Sequence, residues 1–354
     1  MKILFATNNT YLPQNIGGSE LSTHDLCVKL GAMGVNVGVL CALDKRGVLG
    51  FRNRLIRKIA GNQFPHDRVM GYPVYRGWDP TIYTEQVIKK FKPSLVVVQA
   101  IAPMKLARVL VDLSVKTVVY LRDVQFDLLG GEVFSHPNLK FIANSNFTSS
   151  KFNKMFGITA EPIPPLVDYG KYCTESSRSR VVFVCPYPQK GVEIAFQLAE
   201  ARPDIPFDFV ESWELGGDWL QEITRRAEKL GNVRIVRRVL DMRSIYSQAK
   251  VLLVPSICEE AWGRVVSEAH VSGIPVLASN IGGLPESTGS GGILVSPNAP
   301  ISEWIEAIST IWDDLSCYND LSEKALLCSR RPEIQSENII NKLVLEFKQH
   351  TNNV

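Results

Sequence analysis

The chain has 354 residues, of which 45% are hydrophobic and 21% charged, and it carries a formal net charge of +3. At roughly 100–200 residues per domain this length predicts two domains, and the composition excludes a low-complexity or disordered chain. So small a charge makes no electrostatic case for nucleic acid, and none is expected as a partner. The seven cysteines are odd in number and form no CxxC pair, so they read as free thiols of a reducing compartment rather than as a disulfide or zinc framework. The first residues read as a strand rather than a signal peptide, and no run approaches the ~18 apolar residues of a membrane span. The expected location is cytoplasmic.

In chain order, short apolar runs predict strands at 2–7, 35–40, 95–99, 117–121 and 141–144. A second series follows at 181–185, 207–210, 233–236, 251–255 and 274–278. Near-continuous Val/Ile/Leu runs are the mark of parallel strands covered on both faces. Helical patterns at 19–33, 146–156, 192–201, 218–230 and 263–271 fall between them. The βαβα alternation predicts an α/β fold with right-handed crossovers. Residues 161–168 contain Pro162, Pro164 and Pro165, which predicts an irregular connector. The expected division is an N-terminal domain at 1–165, a second domain at 166–332 and a helical tail at 333–354. In the tail the apolar positions 339, 340, 343, 344 and 347 share one helix face. It either caps the second domain or packs on the first.

Several residues invite a ligand on their own chemistry. Glu260 lies in the loop after the 251–255 strand, and Glu268 lies eight positions later on a predicted helix. Two carboxylates so spaced can grip separate parts of a hydroxyl-rich ligand through charge-assisted hydrogen bonds. The bland reading is a solvated loop acid and a helix-surface acid. Backbone N–H groups at Gly263 and Arg264 open the helix, and strand ends of α/β sheets are where ligands bind. Gly17 and Gly18 follow the first strand and allow close approach of a ligand to the backbone. No Walker lysine follows them.

The order and spacing of these motifs resemble the retaining GT-B glycosyltransferases, in particular glycosyltransferase family 4, the glycosyl transferases group 1. The E-x7-E of Glu260 and Glu268 carries the resemblance, with Gly282-Gly283-Leu284-Pro285-Glu286, Gln189-Lys190-Gly191, Gly17-Gly18-Ser19-Glu20 and Asn144-Ser145. It spans nearly the whole chain. It implies a GT-B fold: two Rossmann-like doubly wound domains facing each other across a deep cleft, an acceptor domain first and a nucleotide-sugar donor domain second. It further implies that Glu268 holds the ribose hydroxyls and that Glu260 contacts the donor sugar at its reacting face. Ala261, Trp262, Gly263 and Arg264 would hold the sugar and the distal phosphate, with Gly282 and Gly283 also on the donor. Lys190 would neutralise the diphosphate. The implied reaction is hexosyl transfer from a nucleoside diphosphate sugar to a saccharide or lipid-linked acceptor, with retention, no metal and no other cofactor, in polysaccharide or glycolipid synthesis.

Two departures stand out. The family places a Gly-Arg before the lysine, where this chain has Val184-Cys185; Arg264 and Arg122 are the candidate substitutes. The family also places a His-Asp pair after the strand at 117–121, where this chain has Arg122-Asp123. A guanidinium cannot act as a base, so Asp123 is the better candidate for acceptor orientation. The basic amphipathic stretch 45–60 is read either as a solvated helix face or as a peripheral contact with the anionic inner face of a membrane. Other readings on the same fold are a nucleotide-sugar epimerase, a phosphorylase and a non-catalytic nucleotide-sugar-binding subunit.

Overall fold

The computed structural model describes residues 1–60, 64–212 and 215–352. They form two compact units, Met1–Leu166 with Ser336–Val354, and Val167–Gln335.

The first unit is built on strands β1 (Lys2–Thr10), β2 (Asn36–Ala42), β3 (His66–Asp67), β4 (Val74–Gly77), β5 (Leu95–Gln99), β6 (Thr117–Leu121), β7 (Leu139–Ala143) and β8 (Ala160–Pro162). They line up as β3-β4-β2-β1-β5-β6-β7-β8, parallel except for the antiparallel β3–β4 pair at one edge. Alternate residues of each strand feed two cores, one per face. Ile3, Phe5, Val39 and Val97 enter one; Leu4, Ala6, Leu40, Val96 and Val98 enter the other. This double burial explains why these strands read as unbroken apolar runs. Residues 161 and 162, expected to open an irregular connector, instead belong to the edge strand β8. Pro162 is tolerated there because an edge position has no ladder partner on one side.

The helix Ser336–Asn352 belongs to this unit. It delivers Ile339, Ile340, Leu343 and Phe347 to the core beneath β1, β2 and β5. His350 Nε2 donates to the carbonyls of Thr117 and Asn138 at 3.1 and 3.0 Å. Lys342 pairs with Glu161 at 2.5 Å, and Lys140 pairs with Glu346.

The second unit holds β9 (Arg180–Val184), β10 (Phe207–Val210), β11 (Val233–Val236), β12 (Ala249–Val254), β13 (Val276–Ser279) and β14 (Gly292–Val295). Every recorded pairing in it is parallel, in the order β11-β10-β9-β12-β13-β14. Counted from its own first strand this is the doubly wound order 3-2-1-4-5-6. Its direction of winding reverses between β9 and β12. Such a switch point leaves a crevice at the carboxyl ends of the two strands, where nucleotides bind in open α/β sheets.

Candidate functional site

The loops that leave β9 and β12 meet at this switch point. The first carries Lys190 on a short 3-10 turn, Pro188–Lys190. The second carries Ser256, Cys258, Glu259 and Glu260. Gly191 lets them close. Its φ is +80°, and a Cβ on it would stand 1.8 Å from the Pro255 carbonyl oxygen, so only glycine fits. Ile257 N donates to the Gln189 carbonyl at 3.1 Å and continues the seam.

Across the seam Lys190 Nζ donates to Glu260 Oε1 at 2.5 Å. The same oxygen accepts from Ser256 Oγ at 2.7 Å. Burial alone would pull the lysine pKa down. The Glu260 charge and hydrogen bond outweigh it, and the ammonium is held above its ordinary value. Lys190 is therefore a firmly charged, partly buried cation at the crevice.

Glu268 sits on the helix Arg264–His270 and is 6% exposed. Its Oε1 accepts from Arg264 Nε at 2.8 Å and its Oε2 from the Tyr246 hydroxyl at 2.9 Å. Arg264 Nη2 in turn donates to the Tyr172 hydroxyl at 2.9 Å. The Tyr246 phenol is pushed well above its usual pKa, first by burial and then by the Glu268 charge. A buried carboxylate needs such partners. Each oxygen keeps a further lone pair for a ligand hydroxyl. Trp262 is buried and donates from Nε1 to Ser267 Oγ at 3.0 Å. It braces the turn between the two glutamates.

Gly282 and Gly283, expected on the donor, lie against the chain's own glutamate loop. A Cβ on Gly282 would come within 2.5 Å of the Glu260 carbonyl oxygen, and one on Gly283 within 2.5 Å of the Ala261 carbonyl oxygen. Gly283 N donates to the Glu260 carbonyl at 2.7 Å. Their side-chain-free surface is what lets residues 259–261 hold their course. Gly263 caps the following helix at φ +89°. Cys185, at the position where the resembled family has arginine, is buried and left-handed at φ +69°, so no cation projects from there.

The loops after β10 and β11 run alongside this crevice; residues 213 and 214 of the first lie outside the described residues. Glu211 ties the two loops together. It accepts from Leu215 N at 3.0 Å through Oε1 and from Arg238 N at 3.2 Å and Arg237 Nε at 2.9 Å through Oε2.

The remaining candidates belong to the first unit. Gly17 is the extended N-cap of the helix Gly18–Ala32. The space where Gly18 would carry a Cβ holds no atom within 4 Å. Arg122 Nη1 donates to the Ser19 carbonyl at 3.0 Å and to Thr23 Oγ1 at 3.2 Å, and its guanidinium carbon lies 4.1 Å from the centre of the Tyr120 ring. It braces the start of this helix. Asp123 is exposed and accepts from Gln125 N at 2.9 Å. The structure therefore joins Lys190, Glu260, Gly282 and Gly283, and joins Arg264 to Glu268, in one unit. Gly17, Gly18, Arg122 and Asp123 stand in the other.

Tyr246 escaped the sequence reading: it holds Glu268 but lies outside the motif. Ser256, which precedes the motif, and Glu20, in the Gly-Gly-Ser-Glu stretch, were in view without a role; Ser256 holds Glu260. Glu20 is buried and accepts from Asn9 Nδ2 at 2.9 Å. Burial raises its pKa, against the pull of its hydrogen bonds and of Arg122. A carboxylic acid two positions after a Gly-Gly helix start was the available signal. Among the described residues no group of three or more His, Cys, Asp or Glu could hold a metal ion.

Comparison with known proteins follows the same lines. Residues 178–314 match the family model "Glycosyl transferases group 1", a segment covering most of the second unit. Over 145 residues the chain is 31% identical to the D-inositol 3-phosphate glycosyltransferase of Paenarthrobacter aurescens, covering 39% of this chain and 35% of that protein. Over 96 residues it is 38% identical to the Corynebacterium glutamicum protein of the same name, covering 25% and 22%. The matched stretch thus spans about a third or less of these relatives. The whole chain is similar in fold to Anabaena HepE in complex with UDP, with TM-score 0.76, 20% identity and coverage of 99% and 100%. It is likewise similar to sucrose-phosphate synthase of Thermosynechococcus elongatus, with TM-score 0.78, 15% identity and 99% of both chains covered. The class is thereby defined: two Rossmann-like units of the GT-B type. Within that class, residues 178–314 are similar to the glycosyl transferases group 1 domain.

Proposed function

We propose that the protein is a retaining glycosyltransferase of family 4 that moves a hexosyl unit from a nucleoside diphosphate sugar to an acceptor hydroxyl, without a metal. The observation that carries this reading is the contact of Lys190 with Glu260 at the switch point of a 3-2-1-4-5-6 sheet, inside the segment that matches the group 1 model.

Each residue has a task in that chemistry. When the bond from the anomeric carbon to the diphosphate oxygen breaks, negative charge grows on the leaving group and positive charge on the sugar ring. Lys190, on the loop after β9, is fixed where it can stabilise the first, and Arg264, at the start of the helix after the β12 loop, adds a second cation. Fixed cations aimed at developing charge supply catalysis without reorganisation. Glu260, held by Lys190 and Ser256, orients sugar hydroxyls beside the reacting carbon. Glu268 accepts from the ribose hydroxyls, with Arg264 and Tyr246 keeping its carboxylate in place. The acceptor oxygen attacks from the face the diphosphate leaves, and its proton passes to the departing phosphate oxygen. Asp123 orients the acceptor, which is a saccharide or a lipid-linked saccharide in polysaccharide or glycolipid synthesis.

The UDP-bound fold neighbours make uridine diphosphate sugars the first donors to try. Purified protein is incubated with a panel of labelled nucleotide sugars, with and without chelator. Release of nucleoside diphosphate from one donor, unchanged by chelator, is the expected result. Binding of a donor with no turnover toward any acceptor would replace this reading by a non-catalytic subunit.

A further inference from the structure

We infer that the helix Gly47–Ala60 of the first unit is an interfacial helix that docks the protein on an anionic phospholipid bilayer, with a headgroup phosphate seated beside Trp78. The helix turns its large apolar side chains the wrong way for a soluble domain. Val48, Phe51, Leu55 and Ile59 are 87%, 61%, 46% and 75% exposed. At 3.6 residues per turn they fall within an arc of roughly 80° on one face. Arg52 borders one side of this stripe, and Arg54 and Lys58 border the other. The opposite face, with Gly50 and Asn53 buried, seats the helix on its own domain. A Cβ on Gly50 would come within 2.5 Å of the Asp44 carbonyl oxygen.

Charge selects the occupant. The helix has four basic residues and no acidic one, whereas the whole chain has a net charge of +3. The positive charge is therefore concentrated beside the exposed apolar stripe. Arg54, Arg57, Lys58 and Trp78 also line a cavity of about 240 Å³. Lys45 Nζ and the Arg57 guanidinium carbon lie 5.3 and 5.0 Å from the centre of a Trp78 ring. Four cations around an indole accept a phosphate monoanion, and indole rings favour the headgroup level of a bilayer. An apolar stripe between basic borders, with a tryptophan beside it, matches the layering of an anionic membrane surface. A nucleic acid would not reward the stripe, and no helix among the described residues is long and apolar enough to cross the membrane.

The test is flotation of the full-length protein with vesicles of phosphatidylcholine alone and of equal parts phosphatidylcholine and phosphatidylglycerol. Neither vesicle contains an acceptor or donor, so the result is independent of the glycosyl-transfer reading. The protein is expected to float with the anionic vesicles and to be released by high salt. Phe51→Glu/Leu55→Glu/Ile59→Glu lowers partitioning by roughly 100-fold or more. Arg54→Ala/Lys58→Ala lowers it about 30-fold. All five positions are exposed, so an unchanged thermal transition certifies that both variants fold. Absence of binding by the parent protein, or equal binding by the apolar-stripe variant, overturns the proposal. So does a parent protein that ignores vesicles but is a dimer dissociated by the stripe substitutions, which would assign the face to a second copy of the chain.

Discussion

Lys190 and Glu260 stand seventy positions apart in the chain and share a 2.5 Å hydrogen bond, because the parallel sheet sets β9 beside β12. Each neutralises the other at the crevice. On the proposed reading, a diphosphate arriving there would find its cation already oriented by a carboxylate. Glu260→Gln is expected to lower kcat by about 10²–10³ with a smaller change in KM, and Lys190→Ala to lower kcat/KM by a similar factor. Steady-state kinetics on the two variants and the double variant check this. Coupling appears as a double variant scarcely worse than Lys190→Ala, since the residues act as one unit.

Arg264 and Glu268 make a second, more deeply buried pair, and here folding and binding can be pulled apart. Glu268→Ala leaves a buried guanidinium without its carboxylate and is expected to cost about 3–5 kcal/mol of stability while weakening donor binding. Replacing both, in Arg264→Met/Glu268→Leu, removes the stranded charge and restores most of the stability without restoring donor affinity. Urea denaturation and donor titration of the single and double variants separate the two effects.

Glycine does different work at Gly191 and at Gly18. Gly191→Ala drives a Cβ into the Pro255 carbonyl at a left-handed φ and is expected to destabilise by more than about 2 kcal/mol. Gly18 opens a helix, has no left-handed φ, and a Cβ on it would meet no side chain or other segment within 4 Å. Gly18→Ala is expected to leave stability unchanged or raise it by about 0.5–1 kcal/mol. Any loss of activity in that variant would then come from a ligand that approaches the backbone, which kinetics beside a denaturation curve reveals.

Acid should weaken the fold through histidine. Burial, helped by Arg331, lowers the His270 pKa from 6.5 to about 3, and burial lowers that of His350 against the pull of its two carbonyls. A histidine whose pKa is lower when folded binds its proton more readily when unfolded. Stability is therefore fully present above the unfolded pKa and falls as pH drops below about 6.5. For His270 the loss continues toward its folded pKa, at about 1.4 kcal/mol per pH unit. Urea denaturation stepped downward from about pH 7 should show a shallower decline for His270→Gln than for the parent protein.

The core of each sheet was legible because covered parallel strands are continuous apolar runs. β5, β6 and β10 lie where the runs predict them, and so does the edge strand β11. The other three edges were not. β3 has two residues, β8 ends on a proline and β14 begins on a glycine, so none offers a run to read. The pairs that build the site were hidden for a related reason. The eight-residue spacing of Glu260 and Glu268 is local and visible, but the meeting of Glu260 with Lys190 depends on strand order, which periodicity does not encode. Tyr246 likewise reaches Glu268 from another element. The paired glycines 282 and 283 stand against the chain's own residues 259–261, and a sequence cannot distinguish such an approach from close approach to a ligand.

The long helix at residues 336–352 makes the first unit discontinuous, with consequences for the order in which the protein completes itself. The second sheet is contiguous along the chain and has everything it needs once residue 335 is in place. The first must keep the seats of Ile339, Ile340, Leu343 and Phe347 unfilled until the last helix arrives. During that interval its apolar underside is open to misassociation, which makes the earlier half of the chain the later domain to finish.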